Sequence, residues 1–201
     1  MHKHLLSRLS FLLMLLPSLT YGLEKPTFEV LEKWEDVEIR LYPAQVVART
    51  QVDASFEKAG SEGFKRLGGY IFGSNHTEQK ISMTAPVSQT LVDDDTYWVT
   101  FFMPAAYDLA DLPKPIDTKV ILELMPPQTL AVIHYKGGWS EKKYRENEKM
   151  LRAFLNASPH WSIIGEPRWA RYNPPFMPSF FRTNEVMIPV ESTNTALSGK
   201  P

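Results

Sequence analysis

One order of elements occurs twice in this chain, and it restricts the fold more than any single residue does. "FEVLEKWEDVEIRLY" (28–42) alternates in the β manner on both sides of a polar centre at Glu35–Asp36 and predicts a hairpin, which "QVVART" (45–50) continues as a strand. From Asp53 the period becomes helical: Phe56, Gly60, Phe64, Leu67 and Ile71 share one stripe, and Gly73 ends the run. "KISMTAPV" (80–87) and "YWVTFFMP" (97–104) follow as a strand pair around the turn "VDDD". After the connector "MPAAYDLADLPKP" the order returns. "KVILELM" (119–125) and "TLAVIHY" (129–135) flank the turn "PPQ" as a strand pair, and Ser140 is placed to cap a helix with Tyr144, Asn147, Leu151 and Phe154 on one face. "RWARYN" (168–173) and "NEVMIPV" (184–190) supply two last strands. Two β-β-α-β-β units predict an α+β fold whose strands join into one sheet or a distorted β-barrel, flanked by two helices.

The N-terminus sets the expected compartment. "MHKHLLSRLSFLLMLLPSLTYG" places Lys3 and Arg8 before an apolar run from Phe11 to Leu16, with a break at Pro17, which predicts a signal peptide over 1–22. A domain over 23–191 and a flexible polar tail over 192–201 follow from it. The expected localisation is periplasmic or secreted. The apolar run is too short for a membrane span, and no later segment approaches the roughly 20 residues one needs. Removing 1–22 takes Lys3 and Arg8 and no acid, so 20 basic residues face 23 acidic ones and the net charge is −3. That balance argues against nucleic acid as a partner. There is no cysteine, which excludes disulfides, a lipid-attachment thiol, iron–sulfur clusters, thiolate haem ligation and a cysteine nucleophile. The domain must be stable through its core alone, and a monomer is expected.

Catalytic patterns are sparse. No G-x-S-x-G elbow, glycine-rich phosphate loop or H-E-x-x-H pair occurs. His76 lies in a polar loop, His134 in a strand and His160 beyond a helix, without metal spacing. Asp93, Asp94 and Asp95 read as a solvated turn rather than a calcium loop. Glu185, an acid at the start of an apolar strand, has two readings. One is a rim carboxylate paired with Arg182, whose change to glutamine should cost no more than about 1 kcal/mol. The other is a cavity acid that recognises a cation or moves a proton.

The segment "PPFMPSFF" (174–181) is a loop, because its prolines fit neither a helix interior nor a central strand. Its three phenylalanines present on the order of 450–750 Å², as large as the biggest apolar patch of a typical monomer. Such a loop plugs a core or meets an apolar partner.

"KISMTAPV", "GFKRLGGYIFGSN" and "YNPPFMPSFFRTNEVMIPV" together resemble the SOUL haem-binding protein family over residues 27–190. The resemblance implies a duplicated, distorted β-barrel with two helices, similar to ligand-binding domains of some bacterial multidrug regulators. It implies tetrapyrrole binding in a groove between the first helix and the loop before the last strand. The apolar walls would be Phe64, Phe176, Met177, Phe180 and Phe181, and the cations facing the propionates Lys65, Arg66 and Arg182. Leu41 stands where some members carry a proposed axial histidine, and the neighbouring Tyr42 would ligate only as a phenolate. Binding of haem or a related porphyrin is therefore expected to be reversible, non-catalytic and without an obligatory protein–iron bond. Competing expectations are a module for other apolar or cationic small molecules, a hydrolase-like enzyme using Glu185, and a protein-interaction surface.

Overall fold

The polar centre at Glu35–Asp36 is a turn, across which β1 (Glu29–Lys33) and β2 (Val37–Tyr42) pair antiparallel. The structure, a computed structural model, describes residues 22–193; the predicted signal peptide up to Tyr21 and the tail from residue 194 lie outside the described residues. β3 (Gln45–Asp53) leads into α1 (Phe56–Ile71), then β4 (Val87–Asp93) and β5 (Thr96–Phe102). The second half comprises β6 (Ile121–Met125), β7 (Gln128–Lys136), α2 (Glu141–Ala157), β8 (Trp161–Ile163), β9 (Arg168–Arg171) and β10 (Thr183–Ser192). The α+β expectation holds: ten strands form one curled, half-barrel sheet with two helices.

The sheet order is β1-β2-β7-β10-β9-β4-β5-β3-β6, with β8 on β10. Leaving β1 aside, the path inward from one end is β2, β7, β10, β9, and from the other β6, β3, β5, β4. The duplication is thus a palindrome in the sheet, and β4 pairs with β9 at its centre. Each half lends its first strand to the other, β2 lying on β7 and β6 on β3. This corrects the expected pairing of 119–125 with 129–135. The link between β6 and β7 is Pro126-Pro127, and that between β2 and β3 is Pro43-Ala44. A two-residue hairpin turn needs positive φ at one or both central positions, whereas proline is fixed near −65°. Neither link can fold its strands back on each other, so both strands cross to the opposite half.

A second correction concerns "KISMTAPV", of which only Val87 belongs to a ladder. Pro86 has no N–H to give. The segment before it is held by single bonds: the Ile81 N–H donates to the Ile71 carbonyl at 2.8 Å, and the Thr84 hydroxyl to the Phe102 carbonyl at 2.6 Å. The short β8 was not anticipated.

The curl gives the sheet two buried faces. Toward the helices, Ile39, Ile133, Ile188 and Trp169 pack with Phe56, Tyr144, Leu151 and Leu155, while Leu67, Tyr70 and Ile71 cover Ala48, Val99 and Phe101. A smaller core of Tyr42, Leu130, Val132, Ala170 and Met187 fills the inner side. α2 starts as expected, its Ser140 hydroxyl accepting from the Lys143 N–H at 3.4 Å.

α1 lies close on the sheet because Gly63 has no side chain there: a Cβ at this position falls 2.4 Å from Val99 Cγ2. Gly63→Ala is expected to destabilise by about 1–3 kcal/mol through overpacking. Val99→Ala in the same chain should recover part of the loss in thermal unfolding; an unaffected single variant would show that α1 can lift at no cost.

Candidate functional site

Two places on the molecule concentrate unusual chemistry. The first is the loop between β9 and β10. Its phenylalanines are not core: Phe176, Phe180 and Phe181 are 87%, 66% and 62% exposed. Phe180 and Phe181 lie against each other with ring centroids 4.3 Å apart. The loop holds its shape through Arg182, whose Nε donates to the Met177 carbonyl at 2.7 Å and whose Nη2 donates to the Pro175 carbonyl at 2.5 Å. The same guanidinium sits 4.2 Å from the Trp139 ring centroid. Arg171 approaches the same ring at 5.6 Å and also abuts α1, where its Nη1 would lie 2.5 Å from a Cβ at Gly60. Arg171 Nε and Trp139 Nε1 are buried without an acceptor among the described residues.

The predicted residues on α1 are placed unevenly. Phe64 is 40% exposed and packs edge-on against Phe101 with centroids 5.4 Å apart. Arg66 is engaged: Nη1 donates to the Thr50 hydroxyl at 2.7 Å and the Gln51 carbonyl at 3.0 Å, and Nε pairs with Asp117 at 3.4 Å. Lys65 is exposed and has no ion-pair partner among the described residues. Phe64 and Arg66 thus contact the sheet and the β5–β6 connector, while Met177 and Arg182 belong to the loop.

The second place is the inner side of the curl, a cavity of about 180 Å³. β2 builds one wall. Its alternation sends Val37 and Ile39 to the helices and Glu38, Arg40 and Tyr42 inward. Glu185 on β10, 7% exposed, does not pair with Arg182 as expected for a rim carboxylate. It accepts from Arg40 Nη1 at 2.9 Å and from the Tyr172 hydroxyl at 2.5 Å. Both side chains emerge on the inner face from strands that flank β7, Arg40 opposite Leu130 and Glu185 opposite His134, and the long arginine side chain spans the offset between them along β7. The pairs continue outward, Arg40 Nε to Glu38 at 2.8 Å and Lys33 Nζ to Glu38 at 2.9 Å. The bond from Lys33, with help from Arg40, holds the Glu38 carboxyl below its ordinary range against the cost of burial. Burial pushes the Tyr42 phenol up to about 12, so it is not a phenolate near neutrality. Burial likewise raises Tyr172, and the facing Glu185 carboxylate adds to the effect.

Arg168 on β9 also lines the cavity. Its Nη2 donates to the Gln128 side-chain oxygen, and burial draws its pKa down to about 10. Sequence reasoning missed Arg40, Arg168, Tyr172, Trp139 and Arg171. The available signal was E-x-R-x-Y in β2, three hydrogen-bonding residues at period 2 on a strand whose other face is apolar.

Among the described residues the histidines are His76, His134 and His160; all are exposed, and none lines this cavity. Asp93–Asp95 form a turn in which the Asp94 N–H donates to Asp93 Oδ1 at 2.8 Å. Among the described residues no group of three or more His, Cys, Asp or Glu is arranged to hold a metal, and no helix is long and apolar enough to cross a membrane.

A family model described as "SOUL heme-binding protein" matches residues 23–189. Heme-binding protein 2 of Homo sapiens is 29% identical over 160 residues, covering 75% of this chain and 76% of that protein. Heme-binding protein 1 of Xenopus laevis is 29% identical over 185 residues, covering 84% and 93%. Among solved structures, the C-terminal domain of EcmrR superposes with a TM-score of 0.61 at 13% identity, over 77% of this chain and 96% of that one. A hydrolase from Listeria innocua gives 0.55 at 9%, over 80% and 94%. At these identities the two structures share the fold alone.

Proposed function

The chain belongs to the SOUL heme-binding protein family, and from that premise we propose that it binds haem or a related tetrapyrrole reversibly on its outer face, as an exported, monomeric carrier for sequestration or handover. The observation that carries this reading is the aromatic loop between β9 and β10, which is ordered by Arg182 yet leaves Phe176, Phe180 and Phe181 mostly exposed. A loop built to plug a core would bury them. A porphyrin is a flat apolar disc with two propionates, and the residues fit its needs: aromatic faces on the loop and Phe64, with Lys65 and Arg182 as cations, while Arg66 would exchange its Asp117 partner for a propionate. The inner cavity, at about 180 Å³, is smaller than the 300–1,000 Å³ of pockets that hold drug-sized ligands, which favours the outer face for a tetrapyrrole.

Bound haem supplies a redox-active iron; the chain's residues cover its faces and pair its propionates. None of His76, His134 and His160 belongs to the loop and Tyr42 stays protonated, which supports binding without an obligatory protein–iron bond. Metal-free protoporphyrin is accordingly expected to bind within about tenfold of haem, a gap of at most roughly 1.4 kcal/mol. The non-catalytic reading is favoured because both oxygens of Glu185, the acid of the competing hydrolase reading, are engaged.

The deciding experiment is Phe176→Ala combined with Phe180→Ala. Haem affinity should fall at least about tenfold, a kcal/mol or so per lost aromatic contact. Unfolding of the ligand-free protein should move little, since both rings are exposed. Unchanged affinity in a folded double variant would remove the loop from tetrapyrrole binding and leave it as a protein-docking surface.

A further inference from the structure

The inner cavity differs in chemistry from the outer groove. Four of the charges around it form an alternating chain, Lys33, Glu38, Arg40 and Glu185, which is neutral. Arg168 is not part of it. Among the described residues no carboxylate lies within ion-pair distance of its guanidinium, and its one protein acceptor is the neutral Gln128 amide. Lys25 adds a further cation at the wall, 5.2 Å from the Tyr172 ring centroid and without a carboxylate. The hydrogen-bonding capacity is just as one-sided. Both Glu185 oxygens already accept a bond, and so does the Gln128 oxygen. The Tyr42 oxygen accepts from Arg40 at 3.2 Å, which leaves its O–H free to donate, as Arg168 is with its remaining N–H groups. The cavity therefore presents spare donors, and the cations that line it, Lys25, Arg40 and Arg168, outnumber its one lining carboxylate, Glu185.

Size and walls narrow the occupant. Phe102, Leu130 and Met187 make the remainder apolar, and about 180 Å³ slightly exceeds the roughly 150 Å³ of a cavity known to admit benzene. The geometry points to a second ligand site inside the curled sheet, for a small carboxylate carrying a benzene-sized apolar group, held by Arg168 and Tyr42. A carboxylate matches the fork of a guanidinium. Its negative charge also offsets the burial that leaves Arg168 easier to deprotonate than an ordinary arginine. The inference is independent of tetrapyrrole binding on the outer face.

Benzoate and benzamidine share a ring and differ in the sign of the charged group, and calorimetric titration of the purified protein with each decides the matter. Benzoate is expected to bind with Kd below about 1 mM, at least about tenfold tighter than benzamidine. Arg168→Met should weaken benzoate at least about tenfold, while the thermal midpoint of the ligand-free protein stays level or rises, because an unpaired guanidinium is gone. A merely structural arginine would lower that midpoint. If Arg168→Met fails to fold, Tyr42→Phe serves instead, with an expected loss of about threefold or more. Tighter binding of benzamidine, binding of neither probe, or benzoate affinity unchanged in a folded Arg168→Met protein would each overturn the site. Porphyrin saturation should leave benzoate binding intact; competition between them would merge the two sites and overturn their separation.

Discussion

Replacing Glu185 by alanine is expected to lower the stability of the ligand-free protein by about 3 kcal/mol, the low end of what breaking a buried ion pair costs. The carboxylate is 7% exposed and its partner Arg40 is 5% exposed. Truncation strands one N–H of Arg40 Nη1, the other still donating to Tyr42, and the Tyr172 hydroxyl, both of which point at oxygens that no longer exist. The loss falls at the low end because Glu38 still holds Arg40 at 2.8 Å. For a domain of this size the thermal midpoint should drop by roughly 6–12 °C. Glu185→Gln keeps the shape and one acceptor and should lose less, yet more than the 1 kcal/mol expected for a rim carboxylate. Arg40→Met combined with Glu185→Leu removes the charges together and should recover much of the deficit. A single alanine variant within 1 kcal/mol of the parent would mean that water replaces the carboxylate freely, and the inner cluster would then be a wet surface rather than a buried network.

Glu185 also shows where sequence reading stops. That it opens a strand was legible from the apolar run after it, and that it is an acid in apolar company marked it for attention. Its partner was not legible, since Arg40 is 145 positions away and reaches it only because β2 crosses to the other half of the duplication. The element order, the α1 stripe apart from the exposed Phe64, and the Ser140 cap are local patterns and came through. The strand exchange depends on what Pro43 and Pro126-Pro127 forbid, and a proline between two strands looks like a hairpin turn until its φ is weighed against the turn it would have to make. The inner cavity was hidden for a related reason. Alternation in "VEIRLY" normally separates a core face from a wet one, and only the curl of the sheet buries both. The loop 174–181, in contrast, is unusual in composition alone, and its exposure follows from the prolines that keep it out of the sheet.

Raising the pH from 10 to 12 is expected to unfold the protein cooperatively, and the tyrosines are the cause. Burial lifts Tyr42 and Tyr70 from an ordinary 10.0 to about 12 each. It also raises Tyr97, Tyr135 and Tyr144, and in Tyr172 it acts together with the Glu185 carboxylate. A group whose pKa is higher folded than unfolded contributes stability that is complete below its unfolded pKa and lost as pH climbs through the folded one. The window therefore opens near pH 10, where unfolded phenols begin to ionise and the folded ones do not. By pH 12, Tyr42 and Tyr70 each forfeit roughly 2 kcal/mol at 1.36 kcal/mol per unit. The other four add to that, against a total stability of about 5–15 kcal/mol for a typical domain. Tyrosinate absorbance near 295 nm should rise in one steep step that coincides with loss of far-ultraviolet dichroism. Tyr42→Phe, which has no proton to lose, should move that step to higher pH. Absorbance that instead climbs gradually around pH 10 while the dichroism persists would show the phenols in contact with water, and the packed inner face described for β2, β7 and β10 would not stand.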